Sequence, residues 1–214
     1  PQHEVTLSPY FIDLYPVTVD QYKACVKAAA CKAPNSLPGV YNWSLPGHGN
    51  HPINGVMWQQ AGNFCKWMGR QLPTEAQWAK AARGGCEKYP GQDCKLAMPT
   101  YPWGEAKPVC GKHAVYIDGG LGCGKGSTWP VGTGSIEGRS PYGVYDMAGN
   151  IWNWTRDHYQ TPYPKLPAID PLNTSGSNSR AERGGGWNGL VSYMRAAHRG
   201  GGGRCASTGR WAPG

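Results

Sequence analysis

The run Pro141-Tyr-Gly-Val-Tyr-Asp-Met-Ala-Gly-Asn-Ile-Trp-Asn-Trp-Thr-Arg-Asp157 constrains this chain more than any other stretch. Turns at Gly143 and at Gly149-Asn150 bracket a short apolar segment, and a second segment with Ile151, Trp152 and Trp154 follows, which reads as strand, turn, strand. Trp152 and Trp154 stand two residues apart, so on a strand both indoles leave from one face and need a surface to cover them. The ordinary role of such a pair is core packing. Asn150 has a second reading: an oxygen-bearing side chain on a tight turn, among backbone carbonyls, is what a hard cation uses.

With 214 residues the chain can bury a substantial core as one domain. The 32 Gly and 19 Pro put much of the backbone in turns, and 10 Trp and 12 Tyr against 2 Phe mean a core of large rings with polar edges. A net charge of +8 favours anionic partners. No dense Lys/Arg run accompanies it, and charged residues are only 16%, so nucleic acid is disfavoured as a partner. The eight cysteines contain no Cys-x-x-Cys pair and none is followed by paired His ligands, which argues against zinc. Cys25 with Cys31, Cys86 with Cys94, and Cys110 with Cys123 read as local bridges, leaving Cys65 and Cys205 as a possible fourth pair. Bridges imply an oxidising compartment, hence an extracellular, cell-surface or periplasmic location. There is no signal peptide or membrane-length apolar run, and the chain opens at Pro1 on strand-like sequence, so a native protein that begins earlier is expected.

Along the chain, residues 3–14 read as extended, with alternating Val5 and Leu7 and then Tyr10, Ile12 and Leu14. Thr18 and Gln21 form a capping-box spacing ahead of an apolar stripe at Tyr22, Cys25, Val26 and Ala29. Residues 32–50 are a loop with exposed-looking Tyr41 and Trp43. A second helix starts near Trp58, with Ala61, Phe64, Cys65 and Met68 on one face and Gly69 as its stop. Thr74 and Gln77 repeat the capping box for a third helix with Trp78, Ala81 and Ala82 as its buried face. Glu75 reads there as a charge suited to the positive end of the helix dipole. Residues 86–140 are a long aperiodic insertion that the cysteines would staple. Residues 160–180 read as a loop, Arg183-Gly-Gly-Gly-Trp187 as a glycine-rich strand, and the Arg- and Gly-rich remainder as basic and mobile.

Several of these blocks, in this order, resemble the formylglycine-generating enzyme or sulfatase-modifying-factor family. They are His51-Pro-Ile-Asn-Gly-Val-Met-Trp58, Cys65-Lys-Trp67, Gln71-Leu-Pro-Thr-Glu-Ala-Gln-Trp78, Ala81-Ala-Arg-Gly-Gly85, Tyr101-Pro-Trp-Gly104, Tyr142 to Asp157, Arg183-Gly-Gly-Gly-Trp187 and Arg195-Ala-Ala-His-Arg199. The resemblance covers nearly the whole chain and implies an α+β domain with a C-type-lectin-like fold: short helices, small twisted antiparallel sheets and many loops. It also implies a single domain over residues 1–214 that is trimmed at both ends.

In the family, oxidation of a substrate cysteine uses copper held by two thiolates, the soft ligands that Cu(I) takes. The corresponding positions here are Asn188 and Met194, so the resemblance implies that copper and the oxidase activity are lost. Iron-dependent relatives use three histidines, and the six of this chain show no paired helical spacing. A family calcium site uses the Asn of the Gly-Asn turn and a Glu between the two tryptophans; here these are Asn150 and Asn153, a weaker donor set for a structural calcium. A third branch carries hypervariable ligand-binding residues in its C-terminal region, which is residues 188–210 here.

The expected function is therefore a catalytically inactive extracellular binding or structural module. Its ligand contacts would come from Asn188, Tyr193, Arg195, His198, Arg204 and Arg210, with Trp187 packing beneath them. Arg suits carboxylate, phosphate or sulfate groups and Tyr supplies rigid contact area, so the partner would be a protein or an anionic small molecule or glycan. Internal hydrogen bonding is the competing role for Arg183, Arg195 and Arg199. The rival function is an oxidoreductase acting on a peptide or protein cysteine through a rearranged metal site that uses Cys205.

Overall fold

The computed structural model describes residues 3–34, 41–162, 168–176 and 178–202, leaving aside the side chains of residues 95 and 96. Helix α1 (Val19–Lys27) starts at Thr18, whose hydroxyl accepts from the Gln21 backbone while the Gln21 side chain accepts from the Thr18 backbone. Helix α3 (Glu75–Arg83) starts the same way at Thr74 and Gln77. Each box satisfies two backbone donors that a helix start otherwise leaves open. Helix α2 (Trp58–Trp67) ends one residue earlier than the pattern predicts. Met68 caps it and is exposed, as is Trp67, rather than lying on the buried face with Phe64.

The strands are fewer and shorter than the sequence reads. Within residues 3–14 only β1 (Val5–Thr6) is a strand, and it pairs in parallel with β3 (Ala168–Ile169), inside a segment that reads as loop. The apolar segment between Gly143 and Gly149 is a series of turns; the strand of that region, β2 (Asn153–His158), begins only after the Gly149-Asn150 turn. Strand β4 (Arg180–Arg183) stops where the glycine run begins, because Gly184 and Gly185 take φ of 95° and 76°. Part of the supposedly mobile C-terminal stretch is strand β5 (Arg199–Gly202). The order is β2-β4-β5, antiparallel, with Trp154 opposite Glu182 and Glu182 opposite Gly200.

The buried side chains form three groups. Val19, Tyr22, Cys25, Ile53, Val56 and Phe64 join α1 to α2; Trp78, Ala81, Ala82, Val144, Met147 and Ala196 lie under α3; Ala114, Tyr116, Ala148 and Met194 join the insertion to the C-terminal region. Three disulfides staple the loops, Cys25–Cys31, Cys86–Cys94 and Cys110–Cys123, as the spacings predict. Cys65 is a free thiol, and Cys205 lies outside the described residues.

Glu75 has more to do than complement a helix dipole. Its carboxylate is buried and takes two hydrogen bonds from Arg199, Nε at 2.6 Å and Nη2 at 2.7 Å, while Arg183 Nε lies 3.4 Å away. Its backbone N–H donates to Asp157 on β2. The start of α3 is thereby tied to all three strands of the sheet.

Among the described residues no helix is long and apolar enough to cross a membrane. The disulfides place maturation of the chain in an oxidising compartment.

Candidate functional site

The glycine turn after β4 sets up the C-terminal surface. Gly185 takes φ 76°, the left-handed region that favours glycine, and a Cβ there would lie 2.5 Å from Met194 Cε and 3.2 Å from Tyr193 O. Trp187 is buried; its backbone N–H donates to Asn150 O and its backbone O accepts from Gly122 N. The segment from Asn188 then folds through a 3-10 turn, Val191–Met194, and returns to β5 through Arg195–His198. Ala196 N–H donates to Thr100 O, so the Tyr101-Pro-Trp-Gly104 turn props this segment from the side.

Three rings meet there. Tyr193 stacks on His198 with centroids 4.6 Å apart, and Trp152 touches both, at 5.9 Å and 5.8 Å. Asn188 borders the group: a Cβ on Gly186 would sit 3.1 Å from Trp152 Cδ1 and 3.4 Å from Asn188 Oδ1. Arg195 is exposed, and among the described residues no carboxylate forms a salt bridge with its guanidinium. Arg183 and Arg199 are instead turned inward onto Glu75, so the internal role weighed for the three arginines holds for two of them. The local field is positive: His198 is held below the usual histidine range first by burial, then by Arg183 and Arg195. Asn188, Tyr193, Arg195 and His198 are thus gathered in one region, while Arg204 and Arg210 lie outside the described residues. Trp152 is a buried core residue, as its spacing on the strand predicts, and it also meets Tyr193 and His198.

The family resemblance sets Asn188 and Met194 in place of two thiolate ligands. Asn188 offers an amide, and Met194 is fully buried among Ala114, Tyr116 and Ala148, so the donor set contains no thiolate. The nearby Cys110–Cys123 pair is a disulfide and donates none either. Cys65 lies apart, on α2, in a groove of about 340 Å³ with Leu14, Tyr15, Phe64 and Trp67. Burial pushes its thiol up to about 11, which keeps it protonated and unreactive at neutral pH. Cys205 lies outside the described residues.

Asn150 is completely buried with φ 62°, a left-handed turn position that Asn tolerates. Its side-chain oxygen accepts from Trp129 N at 3.0 Å and its amide donates to Trp129 O at 3.1 Å. Asn153 donates to Ile151 O at 3.2 Å. A cation at this turn would have to share Asn150 Oδ1 with the Trp129 N–H, whereas the Asn153 bond uses its amide nitrogen and not its oxygen. Among the described residues no three His, Cys, Asp or Glu side chains cluster as metal ligands.

Residues 1–209 match the family model for the sulfatase-modifying factor enzyme 1-like domain. A relative named serine/threonine-protein kinase pkn1, from Chlamydia pneumoniae, is 31% identical over 93% of this chain, but that match spans only 31% of the relative's length. The formylglycine-generating enzyme of Thermomonospora curvata is 31% identical over 86% of this chain and 73% of its own. The structure of Treponema denticola variable protein 1 superimposes with a TM-score of 0.69 at 21% identity, covering 97% of this chain and 84% of that one, which shows a shared fold. In its mixed short helices and small sheets, and along nearly its whole length, this chain belongs to the sulfatase-modifying factor enzyme 1-like, or formylglycine-generating-enzyme-like, domain family.

Proposed function

We propose that this domain is a catalytically inactive extracellular binding module whose ligand surface is formed by Asn188, Tyr193, Arg195 and His198 against the buried Trp152. The observation that carries the reading is the juxtaposition of three contacting rings with an exposed arginine, in the segment where the family resemblance sets Asn188 and Met194 in place of a thiolate pair. Rings that hold one another in place offer rigid contact area at low entropic cost, and an exposed guanidinium selects carboxylate or sulfate groups. An anionic glycan or an acidic protein segment suits such a surface.

The test is binding to immobilised heparin and polygalacturonate at physiological salt, comparing the native domain with Arg195→Ala, Tyr193→Ala and a charge-matched control, Lys107→Ala. The first two variants are expected to lose binding at least tenfold while the control does not. Equal losses in Arg195→Ala and Lys107→Ala would mean nonspecific attraction to a basic protein. The rival oxidoreductase reading, with Cys205 as its thiol, predicts copper-dependent oxygen consumption on a cysteine peptide. A structural calcium at Asn150 and Asn153 predicts a rise in Tm on adding calcium.

A further inference from the structure

Glu182 sits at the centre of the three-stranded sheet, opposite Trp154 on β2 and Gly200 on β5. It is 1% exposed, and among the described residues neither carboxyl oxygen has a hydrogen-bond partner. The surroundings are shaped to it. A Cβ on Gly200 would lie 3.0 Å from both Glu182 Cγ and Trp152 Cζ3, and one on Gly202 would lie 2.5 Å from Trp154 Cη2 and 2.8 Å from Glu182 Oε2. The glycines of β5 therefore leave room for two indoles with a carboxyl group among them.

No charged group among the described residues shifts Glu182, and on β2 the Arg156 charge acts on Asp157 instead. On β4, Arg180 lies 3.7 Å over the Trp58 ring and donates to Arg156 O, and Arg183 faces Glu75 and Trp78. On β2, Asp157 accepts from the Glu75 and Asn173 backbones. On β5, Arg199 is held by Glu75, and His198, just before the strand, stacks on Tyr193. Burial alone pushes the Glu182 carboxyl up to about 8.

We propose that Glu182 is a latch: protonated, it lets β5 close on β4, and ionised, it loosens that pairing. An ionised carboxylate without a partner is costly inside an apolar site, so the group escapes its cost only by exposing itself as the strand opens. In an opened state the carboxyl behaves as a free one, near ~4.3. Between that value and the closed-state value of about 8, each pH unit favours the opened state by up to about tenfold, and above it the effect levels off. Trp152 packs over Gly200 and also touches Tyr193 and His198, so a loosened β5 disturbs the ring surface. That last consequence for ligand rests on the proposed binding surface; the latch does not.

The test is amide hydrogen exchange at residues 199–202 of the native chain, Glu182→Gln and Glu182→Met between pH 5 and 9, after correction for intrinsic exchange. The native protein should open up to about tenfold more per pH unit and level off near pH 8, while Glu182→Gln is flat and Glu182→Met is protected at every pH. The same slope in the native chain and Glu182→Gln overturns the latch. Should the variants fail to fold, carboxyl-carbon NMR of the native protein decides. One glutamate titrating near 8 supports the latch, and all glutamates titrating below about 6 overturn it. If the exchange result holds but heparin binding stays constant across this range, the binding surface fails and the latch stands.

Discussion

Breaking the Glu75–Arg199 pair should destabilise the domain far more than a surface ion pair would. Glu75 and Arg199 side chains are 3% and 14% exposed, and two charge-assisted hydrogen bonds of 2.6 Å and 2.7 Å join them. Unit charges ~4 Å apart attract by about 4 kcal/mol at the effective dielectric that describes such sites. Loss of one partner of a buried pair costs about 3–5 kcal/mol, because the charge left behind cannot return to water. Arg199→Met leaves Glu75 beside Arg183, 3.4 Å away, and should fall at the lower end, about 3 kcal/mol. Glu75→Gln leaves two inward-facing guanidiniums without their anion and should approach 5 kcal/mol, or about the whole stability of a marginal domain. Arg199→Lys keeps the charge but loses the planar fork and should lie between the native protein and Arg199→Met. The assay is urea unfolding followed by tryptophan fluorescence with disulfides intact, and a double-mutant cycle should give a coupling of about 2 kcal/mol or more. Single losses below about 1 kcal/mol that simply add would refute the argument, since they are what an exposed pair gives.

Three further outcomes are expected. Asn150→Ala removes the partners of both Trp129 backbone groups and should cost about 1–3 kcal/mol in urea unfolding, with little change in m. Replacing Cys110 and Cys123 together by Ser frees a loop with sequence separation 13 and should cost about 3 kcal/mol by calorimetry under non-reducing conditions. His51, pushed down to about 4 by burial and by neighbouring His48, stays neutral in the folded chain while the unfolded one takes up a proton near ~6.5. Stability should therefore be complete above pH ~6.5, fall as pH drops towards about 4, and level off below, by about 1 kcal/mol because the ring is partly solvated; His51→Asn should flatten that limb.

The sequence by itself determined the features whose causes are local. The capping boxes at Thr18 and Thr74 act within four residues, so both helix starts were legible, and so were three disulfides between cysteines close along the chain. The order of its motifs was enough to reveal the family, and residue identity at 188 and 194 sufficed to question copper chemistry. What the sequence could not reveal depends on groups far apart in the chain. Arg199 lies 124 residues from Glu75, so a helix-start charge could not be told from a buried anchor of the sheet. Trp152 is the core residue that its spacing predicts, but only the return of residues 193–198 brings Tyr193 and His198 against it. Glycines 200 and 202 read as mobility because composition records only what a residue permits. In the fold they form a strand, since only a residue without Cβ leaves space there for two indoles and the buried carboxyl of Glu182.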